Sequence, residues 1–415
     1  MAHICRQMNH ACVFLVRFAF CKIVDSHGFT SESLDDEKAE QVETDPRNMW
    51  IDLVRENCCS FQLPPLEQQR SSPHRWFAKF VQDYDDMIEK KIATLKPDLI
   101  VCDMYLIIPA VEKSSIPWIL LYSANPLVIF EECGGPPAQG GFCTDSDSSS
   151  WEEFRKVREE ARGPIKSEYQ SWCEGRGLKV EEDPLKAKSK YLNLYTYPEE
   201  MDYCEISPIP NSWFRIDHLI RPELVEPIGV DLSALDSDSK KIYFSMGSLA
   251  CADVEIMKKL LQILAKSKHQ VIASFGPTLP VEEVPENIVG AKFLDQLAIL
   301  PKVDLVITHG GNNTFVECLY FGKPMIVLPF FGDQFDNGTR VEEKKIGKCF
   351  RPYRVSETEL LVAIDELLED ESLHSLLGQI SARMMGSKTA EDAVGKMEEL
   401  VRAFKSNAGC QCTLQ

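Results

Sequence analysis

Short apolar runs alternate with longer amphipathic stretches along most of the chain, and this alternation limits the folds open to it. Runs with the length and apolarity of buried strands occur at residues 12–16, 99–102, 118–122, 191–195, 242–245, 270–274, 305–308 and 325–328. Apolar side chains recur at helical spacing over residues 77–95, 151–172, 254–266, 313–320, 357–368 and 390–403. Strands that alternate with helices indicate parallel sheets with crossover helices, so we expect an α/β fold.

A polar, proline-punctuated stretch at residues 221–239 separates two such series, and we interpret it as a linker. It divides the chain into an N-terminal domain at 1–220, a C-terminal domain at 240–405 and a tail at 406–415. Within the first domain, residues 134–150 are rich in Gly, Pro, Ser and Asp, which predicts a long loop of the kind that is often functional. Two α/β domains leave a cleft between them, and such sheets bind ligands at the carboxyl ends of their strands.

The charge of the chain argues against two classes of partner. It carries 45 Lys and Arg against 64 Asp and Glu, a net charge of −19 that is spread along the sequence. Nucleic acids and anionic membrane surfaces select clustered basic residues, so we expect neither as a partner. The sequence contains no run of 18 apolar residues, so we expect no membrane span. Residues 1–10 do not have the apolar segment of a signal peptide. Together with 15 scattered cysteines, these features predict a cytoplasmic protein with reduced thiols.

The most informative segment, residues 303–317, runs from a buried strand through Gly310 and Gly311 into a helix. Glycine permits close backbone approach, and a helix N-terminus offers free N–H groups and a positive dipole end, so the segment predicts an anion site. It is neither a Walker A loop nor a G-x-G-x-x-G fingerprint. Taken alone, it leaves open an ordinary strand–turn–helix with a capping side chain.

Acidic and amide side chains follow this segment at positions that face the same cleft. Glu317 lies one turn into the helix, where a carboxylate suits a ribose diol. Asp333 and Gln334 follow the strand at 325–328, where they can share hydrogen bonds with vicinal hydroxyls. An anion cradle, a ribose carboxylate and a pair for a polyol together indicate a nucleotide-sugar.

These residues resemble the donor signature of the UDP-glycosyltransferases of glycosyltransferase family 1. The likeness is carried by His309-Gly310-Gly311-Asn312-Asn313-Thr314, Glu317, Gly322, Pro324, Pro329, Asp333-Gln334 and Asn337. Two upstream segments add to it: Phe293-Leu294-Asp295-Gln296, where the family usually has Trp-x-x-Gln, and Ser245-Met246-Gly247-Ser248, which is similar to its phosphate turn. The resemblance extends over about residues 12–400. It implies a GT-B fold, in which two Rossmann-like domains with parallel sheets face a central cleft.

The resemblance implies that the C-terminal domain binds a UDP-sugar. The residues implied for the diphosphate are Ser248, His309, Asn313 and Thr314, with Gly247 and Gly311 allowing its approach. Those implied for the nucleoside and the sugar are Glu317 on the ribose, Phe293 on uracil, Gln296 on the base or ribose, and Asp333 and Gln334 on the sugar hydroxyls. Asn312 stands where many relatives have tryptophan, and its role is left open.

The resemblance also implies an inverting reaction, in which a histidine takes the acceptor proton and an aspartate orients the imidazole. Asp103, at the end of the strand at 99–102, matches the orienting aspartate. The family's histidine lies in a Gly-His-x-Asn turn after the first strand, whereas residues 9–16 match its second strand, with His10 in the turn before it. In this register about 25 residues, a strand and a helix with their connections, are absent together with the general base. The alternative is that His10 or His3 serves as a displaced base.

Two function hypotheses follow. The first is an enzyme that transfers a hexose, with glucose favoured, from a UDP-sugar to a hydroxyl of a small lipophilic acceptor. The alternative is a catalytically impaired UDP-sugar-binding protein, or a truncated product without the general-base histidine. We expect no cofactor and no metal, since no carboxylate pair is placed to hold one against the diphosphate. The C-terminal residues 412–415 fit a prenylation pattern, although an unmodified tail is the favoured interpretation.

Overall fold

The N-terminal half of the computed structural model contains two parallel sheets. The structure describes residues 1–35, 60–71, 74–221, 230, 239–280, 284–285 and 288–412. In this part of the chain β1 (Val13–Val16) pairs with β2 (Thr30–Ser33), and a separate sheet has the order β3 (Ile100–Cys102), β4 (Trp118–Tyr122), β5 (Leu192–Thr196), β6 (Trp213–Ile216). Val13 on β1 and Val101 on β3 are 44% and 43% exposed.

Helices cover these sheets at the positions that the apolar spacing predicts, with shorter helices between them. They are α1 (Ala2–Gln7), α2 (Phe18–Ser26), α3 (Pro65–Gln68), α4 (His74–Leu95), α5 (Pro109–Glu112), α6 (Leu127–Glu131) and α7 (Ser148–Gly175), with 3-10 turns at Gln69–Ser71 and Glu199–Met201. The Asp147 carboxylate accepts a hydrogen bond from Ser149 N and caps α7. The helix therefore begins inside the loop predicted at 134–150, and that loop ends at Asp147.

The C-terminal half forms one six-stranded parallel sheet. Its strands are β7 (Lys241–Ser245), β8 (Gln270–Ser274), β9 (Ile288–Ala291), β10 (Leu305–Thr308), β11 (Met325–Val327) and β12 (Gly347–Cys349), in the order β12-β11-β10-β7-β8-β9. This is the doubly wound order, in which the direction of winding reverses between β7 and β10. Strands β9 and β12 are not predicted from the sequence, because glycine and lysine interrupt their apolar pattern.

Helices pack on both faces of this sheet, which explains why its central strands are apolar along their whole length. They are α8 (Gly247–Ala250), α9 (Val254–Leu264), α10 (Gln296–Ile299), α11 (Asn312–Tyr320), α12 (Gln334–Glu343), α13 (Glu357–Glu369) and α14 (Glu371–Met385), with a 3-10 turn at Leu300–Lys302. The last helix of the described residues, α15 (Thr389–Cys412), packs elsewhere. Asp370 ends α13, close to the predicted end at 368, and caps α14 through Leu373 N. Helix α14 itself is not predicted from the sequence. None of the helices within the described ranges combines the length and apolarity needed to cross a lipid bilayer.

The last helix returns to the N-terminal sheet. Ala393, Val394 and Met397 of α15 pack against Ile119 and Leu194 of β4 and β5. Residues 389–405, expected in the C-terminal domain, therefore lie on the N-terminal one, because the apolar face of α15 is buried there. The backbone is helical to Cys412, where a tail from 406 is expected. Most of the linker predicted at 221–239, the side chain of Cys412 and residues 413–415 lie outside the described residues.

The two halves also share a buried interface along α12. The Arg340 guanidinium donates to the main-chain oxygens of Met201, at 2.7 Å, and of Asp202, and it forms ion pairs with Glu205 and Glu343. The Asp336 carboxylate accepts from the main-chain N–H groups of Gln139, at 2.6 Å, and Gly141, at 3.0 Å. The loop predicted from residue 134 is thus fastened to the C-terminal domain.

Candidate functional site

Two loops meet at the point where the winding of the C-terminal sheet reverses. Strands β7 and β10 are neighbours, with Ser245 opposite Thr308. Their carboxyl ends lead into residues 246–248 and 309–312, so the two segments singled out separately in the sequence lie side by side. The crevice at such a reversal is where open α/β sheets bind ligands.

The His309 ring lies between two glycines of these loops. A Cβ atom on Gly247 would lie 2.4 Å from His309 Cε1, and one on Gly311 would lie 2.5 Å from His309 Nε2. Gly247 also has a φ of +67°, a conformation that side chains disfavour. Both glycines are therefore required for the imidazole to occupy this position.

The imidazole of His309 is neutral near pH 7. Desolvation by the surrounding protein lowers the pKa of His309 to about 4. The ring can donate or accept hydrogen bonds but carries no positive charge. The positive end of the local field comes instead from the N-terminus of α11, where Gly311 is the N-cap residue and supplies no side-chain cap. Asn313 and Ser248 are exposed beside this helix end.

Gln296, Thr314 and Glu317 form a hydrogen-bonded cluster next to the same helix end. Gln296 Nε2 donates to Thr314 Oγ1 at 3.1 Å and to Glu317 Oε2. Desolvation raises the pKa of Glu317 to about 7, against the hydrogen bond from Gln296, which lowers it. Phe293 lies half-buried between β9 and α10, three residues before Gln296. The cluster therefore brings Gln296 into contact with Thr314 and Glu317, which belong to a separate segment of the sequence.

Asp333 and Gln334 diverge at the start of α12. Asp333 Oδ2 accepts a hydrogen bond from Asn125 N, in the N-terminal domain, at 3.0 Å, and desolvation raises the pKa of Asp333 to about 6. Gln334 is buried, and its Oε1 accepts from the main-chain N–H groups of Phe330, at 2.9 Å, and Phe331, at 3.3 Å. Asp333 thus faces across the cleft, whereas the side-chain carbonyl oxygen of Gln334 is hydrogen-bonded to the main chain of the preceding turn.

Asp103 lies at the carboxyl end of β3, where its Oδ1 accepts from Ser123 Oγ at 2.8 Å. Water reaches this residue, yet the surrounding protein desolvates the carboxyl enough to raise the pKa of Asp103, and the Ser123 hydrogen bond opposes that shift. Desolvation raises the pKa of Tyr105, and the charges of Asp103 and Asp333 add to that shift. The two carboxylates, one from each domain, therefore act on the same tyrosine.

The histidines near the N-terminus bond elsewhere. His10 Nε2 lies 2.9 Å from Glu398 Oε1 on α15, and the His3 ring packs edge-on against Phe29 at 4.8 Å. Among the side chains that the structure describes, no histidine is hydrogen-bonded to Asp103. These contacts agree with the interpretation that His10 lies in a structural turn.

Three polar residues of the cleft are given no specific contact by the sequence interpretation, although Asn312 and Asn337 belong to the donor signature. Asn312 is buried and donates from Nδ2 to Thr196 O, in the N-terminal domain, at 3.0 Å. Asn125 and Asn337 are buried and bonded to each other, with Asn125 Nδ2 2.8 Å from Asn337 Oδ1. The signal for Asn125 is its place just beyond a predicted strand and before Pro126, comparable to that of Asp333. Only the fold shows that the two positions face one another.

Substitution of Gly247 tests the packing of the His309 ring. We expect Gly247→Ala to destabilise the protein by about 1–3 kcal/mol, because the left-handed backbone is strained and the new Cβ displaces the imidazole. Gly378→Ala, in exposed helix α14 with no atom within 4 Å of the new Cβ, should instead stabilise it slightly. Thermal unfolding measures both. Equal shifts for the two variants would contradict the packing described.

The raised pKa of Glu317 predicts a penalty in the free energy of unfolding that depends on pH. The pKa of Glu317 rises from 4.5 to about 7, so the folded state holds this proton more tightly than the unfolded state does. The penalty therefore grows between pH 4.5 and pH 7 and is complete above pH 7, at about 3 kcal/mol from 1.36 kcal/mol per pKa unit. Glu317→Gln should remove it, raising thermal stability relative to the wild type at pH 8 more than at pH 5. Glu371→Gln, at an exposed site, should shift stability equally at both pH values.

Comparison with known proteins finds relatives for the C-terminal half of the chain. Residues 233–382 match the family model of UDP-glucoronosyl and UDP-glucosyl transferase. The uncharacterized UDP-glucosyltransferase YojK of Bacillus subtilis is 30% identical over 183 residues, which are 42% of this chain and 45% of that protein. UDP-glycosyltransferase UGT4 of Dactylopius coccus is 30% identical over 194 residues, 45% of this chain and 36% of that protein. The matched regions thus span less than half of these two relatives.

Solved structures match nearly the whole chain. The spinosyn forosaminyltransferase SpnP has a TM-score of 0.65 at 17% identity, and the match covers 97% of this chain and 94% of SpnP. The glycosyltransferase VinC, solved with dTDP, has a TM-score of 0.64 at 14% identity, with 97% and 95% covered. These likenesses confirm the predicted GT-B fold. Residues 233–382 of the chain therefore resemble the UDP-glucoronosyl and UDP-glucosyl transferase family.

Proposed function

We propose that the chain binds a UDP-sugar in its cleft and transfers the hexose, with glucose favoured, to a hydroxyl of a small lipophilic acceptor with inversion. The observation that carries this proposal is the arrangement at the β7–β10 reversal. There the His309 ring is held between Gly247 and Gly311, beside an uncapped helix N-terminus and the Gln296–Thr314–Glu317 cluster. An anion site and a carboxylate within one helical turn of each other suit the diphosphate and ribose of a nucleotide.

The donor roles follow from this arrangement. The N-terminal N–H groups of α11 and the neutral His309 ring would bind the diphosphate, with the exposed Ser248 and Asn313 and the Thr314 hydroxyl around it. Glu317 would accept hydrogen bonds from the ribose hydroxyls, with Gln296 beside it and Phe293 against the uracil. In a chain of net charge −19, backbone dipoles rather than basic side chains would then neutralise the diphosphate.

The sugar would lie between Asp333 and Asp103. In the transfer, the acceptor oxygen forms a bond to the anomeric carbon as the bond from that carbon to the β-phosphate oxygen breaks, and UDP leaves with the electron pair. The helix N-terminus stabilises the charge that develops on the leaving diphosphate. The acceptor proton must pass to a base within hydrogen-bond reach, and Asp103 is the acidic side chain placed to orient that base.

A second candidate function is UDP-sugar binding without efficient transfer. It is favoured by one observation: within the described side chains, no histidine is bonded to Asp103, whereas His10 is bonded to Glu398. The donor groups all come from the C-terminal half, so donor binding does not depend on a base. Binding and turnover therefore have to be measured separately.

UDP binding tests the donor site. Calorimetry should detect UDP binding to the wild-type chain, and Glu317→Ala should weaken it about 10- to 100-fold, since a hydrogen bond to a charged group contributes roughly 1.5–3 kcal/mol. Glu371→Ala, which removes an exposed carboxylate on α14, is the matched control and should leave the affinity unchanged. If the wild type does not bind UDP, or if Glu317→Ala binds it equally well, the donor site is assigned wrongly.

Turnover separates the two candidate functions. With UDP-glucose and a panel of phenols, an active chain should lose about 10²- to 10⁴-fold in kcat on Asp103→Asn, because the base loses the group that orients it. UDP binding by that variant should not change. His10→Ala should turn over normally, and its loss of activity would overturn the assignment of His10 to a structural turn. Binding of UDP without any turnover would support the second candidate.

A further inference from the structure

Asn125 places an N-terminal-domain amide against a residue of the donor site. It follows β4 and precedes Pro126, and its main-chain N–H donates to Asp333 Oδ2 at 3.0 Å. The residue before a proline is restricted to extended conformations, so the direction of this N–H is limited by the chain itself. The contact crosses the cleft from one domain to the other.

The Asn125 side chain is fully used within the protein. Its Oδ1 accepts from Leu127 N at 2.9 Å, which fixes the orientation of the amide. Its Nδ2 lies 3.0 Å from the hydroxyls of Tyr197 and Tyr203 and 2.8 Å from Asn337 Oδ1. Asn125 is 2% exposed, so none of these polar atoms is left for a substrate. The side chain therefore holds the loop and does not itself contact a ligand.

The far end of this network reaches the turn that carries His309. Asn337 Nδ2 donates to Gly310 O at 2.9 Å, and Tyr197 OH donates to Asn337 Oδ1 at 3.1 Å. The Tyr197 ring stacks on Phe315 of α11 at 5.2 Å. When the Asn125 side chain is removed, Asn337 keeps its bonds to Gly310 and Tyr197, whereas the loop that presents the N–H to Asp333 loses its support. The consequence should fall on Asp333 more than on the anion site.

We propose that Asn125 is a positioning residue for Asp333, so that the preference of the site for a UDP-sugar over UDP depends on an amide of the N-terminal domain. This inference rests on the proposed function and names the residue on which the preference for the sugar depends. The N–H of Asn125 holds one oxygen of the Asp333 carboxylate, Oδ2. Without that hydrogen bond, the carboxylate, whose pKa burial already raises to about 6, is less firmly oriented and more readily protonated.

The test compares two dissociation constants in each variant. Calorimetry with UDP and, in parallel, with UDP-glucose, UDP-galactose and UDP-glucuronate identifies the sugar that the wild type binds most tightly relative to UDP. Asn125→Ala should bind UDP within about twofold of the wild type and that UDP-sugar roughly tenfold more weakly, the loss of about one hydrogen bond to a charged group. Asn125→Ser, whose hydroxyl can still accept from Leu127 N, should show the same selective loss if the alanine variant does not fold.

Asn193→Ala is the matched control. Asn193 is equally buried, and its amide bonds Ser189 and Ser212 within the N-terminal domain, at 2.8 and 3.1 Å. Its loss should lower thermal stability and leave both dissociation constants unchanged. This control separates general destabilisation from a selective effect on the sugar.

A double-mutant cycle with Asp333→Asn completes the test. If Asn125 acts through Asp333, the double variant should bind the UDP-sugar no more weakly than Asp333→Asn alone. Equal weakening of UDP and UDP-sugar by Asn125→Ala, additive losses in the cycle, or a wild type that binds every UDP-sugar no better than UDP would each overturn the inference. A wild type that does not bind UDP at all would instead refute the proposed function.

Discussion

The parallel pairing of β7 with β10 is the constraint on which the rest of the site depends. It sets Ser245 opposite Thr308, so two glycine-containing turns 60 residues apart leave the sheet side by side. His309 can lie between Gly247 and Gly311 only because these turns are neighbours and lack side chains. The N-terminus of α11 then points into the same crevice. One strand pair thus determines where the proposed anion site lies, the position of the imidazole and the direction of the helix dipole.

The second constraint is the interface along α12. Asp336 and Arg340 are buried there against main-chain groups of the N-terminal half. Asn337 is buried against the Asn125 side chain, and Asp333 at the start of the helix faces the Asn125 main chain. Main-chain partners do not depend on the side chains at residues 139, 141, 201 and 202, so this interface depends mainly on the path of the backbone. The same helix that follows the donor motif therefore also sets how the two domains meet. The last helix reinforces this arrangement by packing on the N-terminal sheet.

The candidate site combines buried acids with an uncharged histidine. Burial raises the pKa of Glu317 to about 7 and that of Asp333 to about 6, and it lowers the pKa of His309 to about 4. Each shift favours the neutral form, because desolvation penalises charge. A site of this kind carries polar groups that are incompletely solvated until a ligand supplies hydrogen bonds. Such groups reduce the stability of the fold and are typical of binding sites rather than of cores.

The sequence by itself determined the α/β class and most of the strands and helices, and it predicted a donor segment from His309 to Gln334. These features are local: apolar periodicity, glycines before a helix and polar residues at strand ends are all visible within about 15 residues. It did not determine β2, β6, β9, β12 or helix α14, which the local pattern does not indicate, nor the return of α15 to the N-terminal sheet. The tertiary structure alone decided that Gln334 turns its carbonyl to Phe330, that Asn312 bonds Thr196, and that Asn125 meets Asp333. Those contacts join residues from separate strands and domains, and hydrogen-bond partners far apart in the chain are chosen by how the sheets and helices pack, which no local pattern encodes.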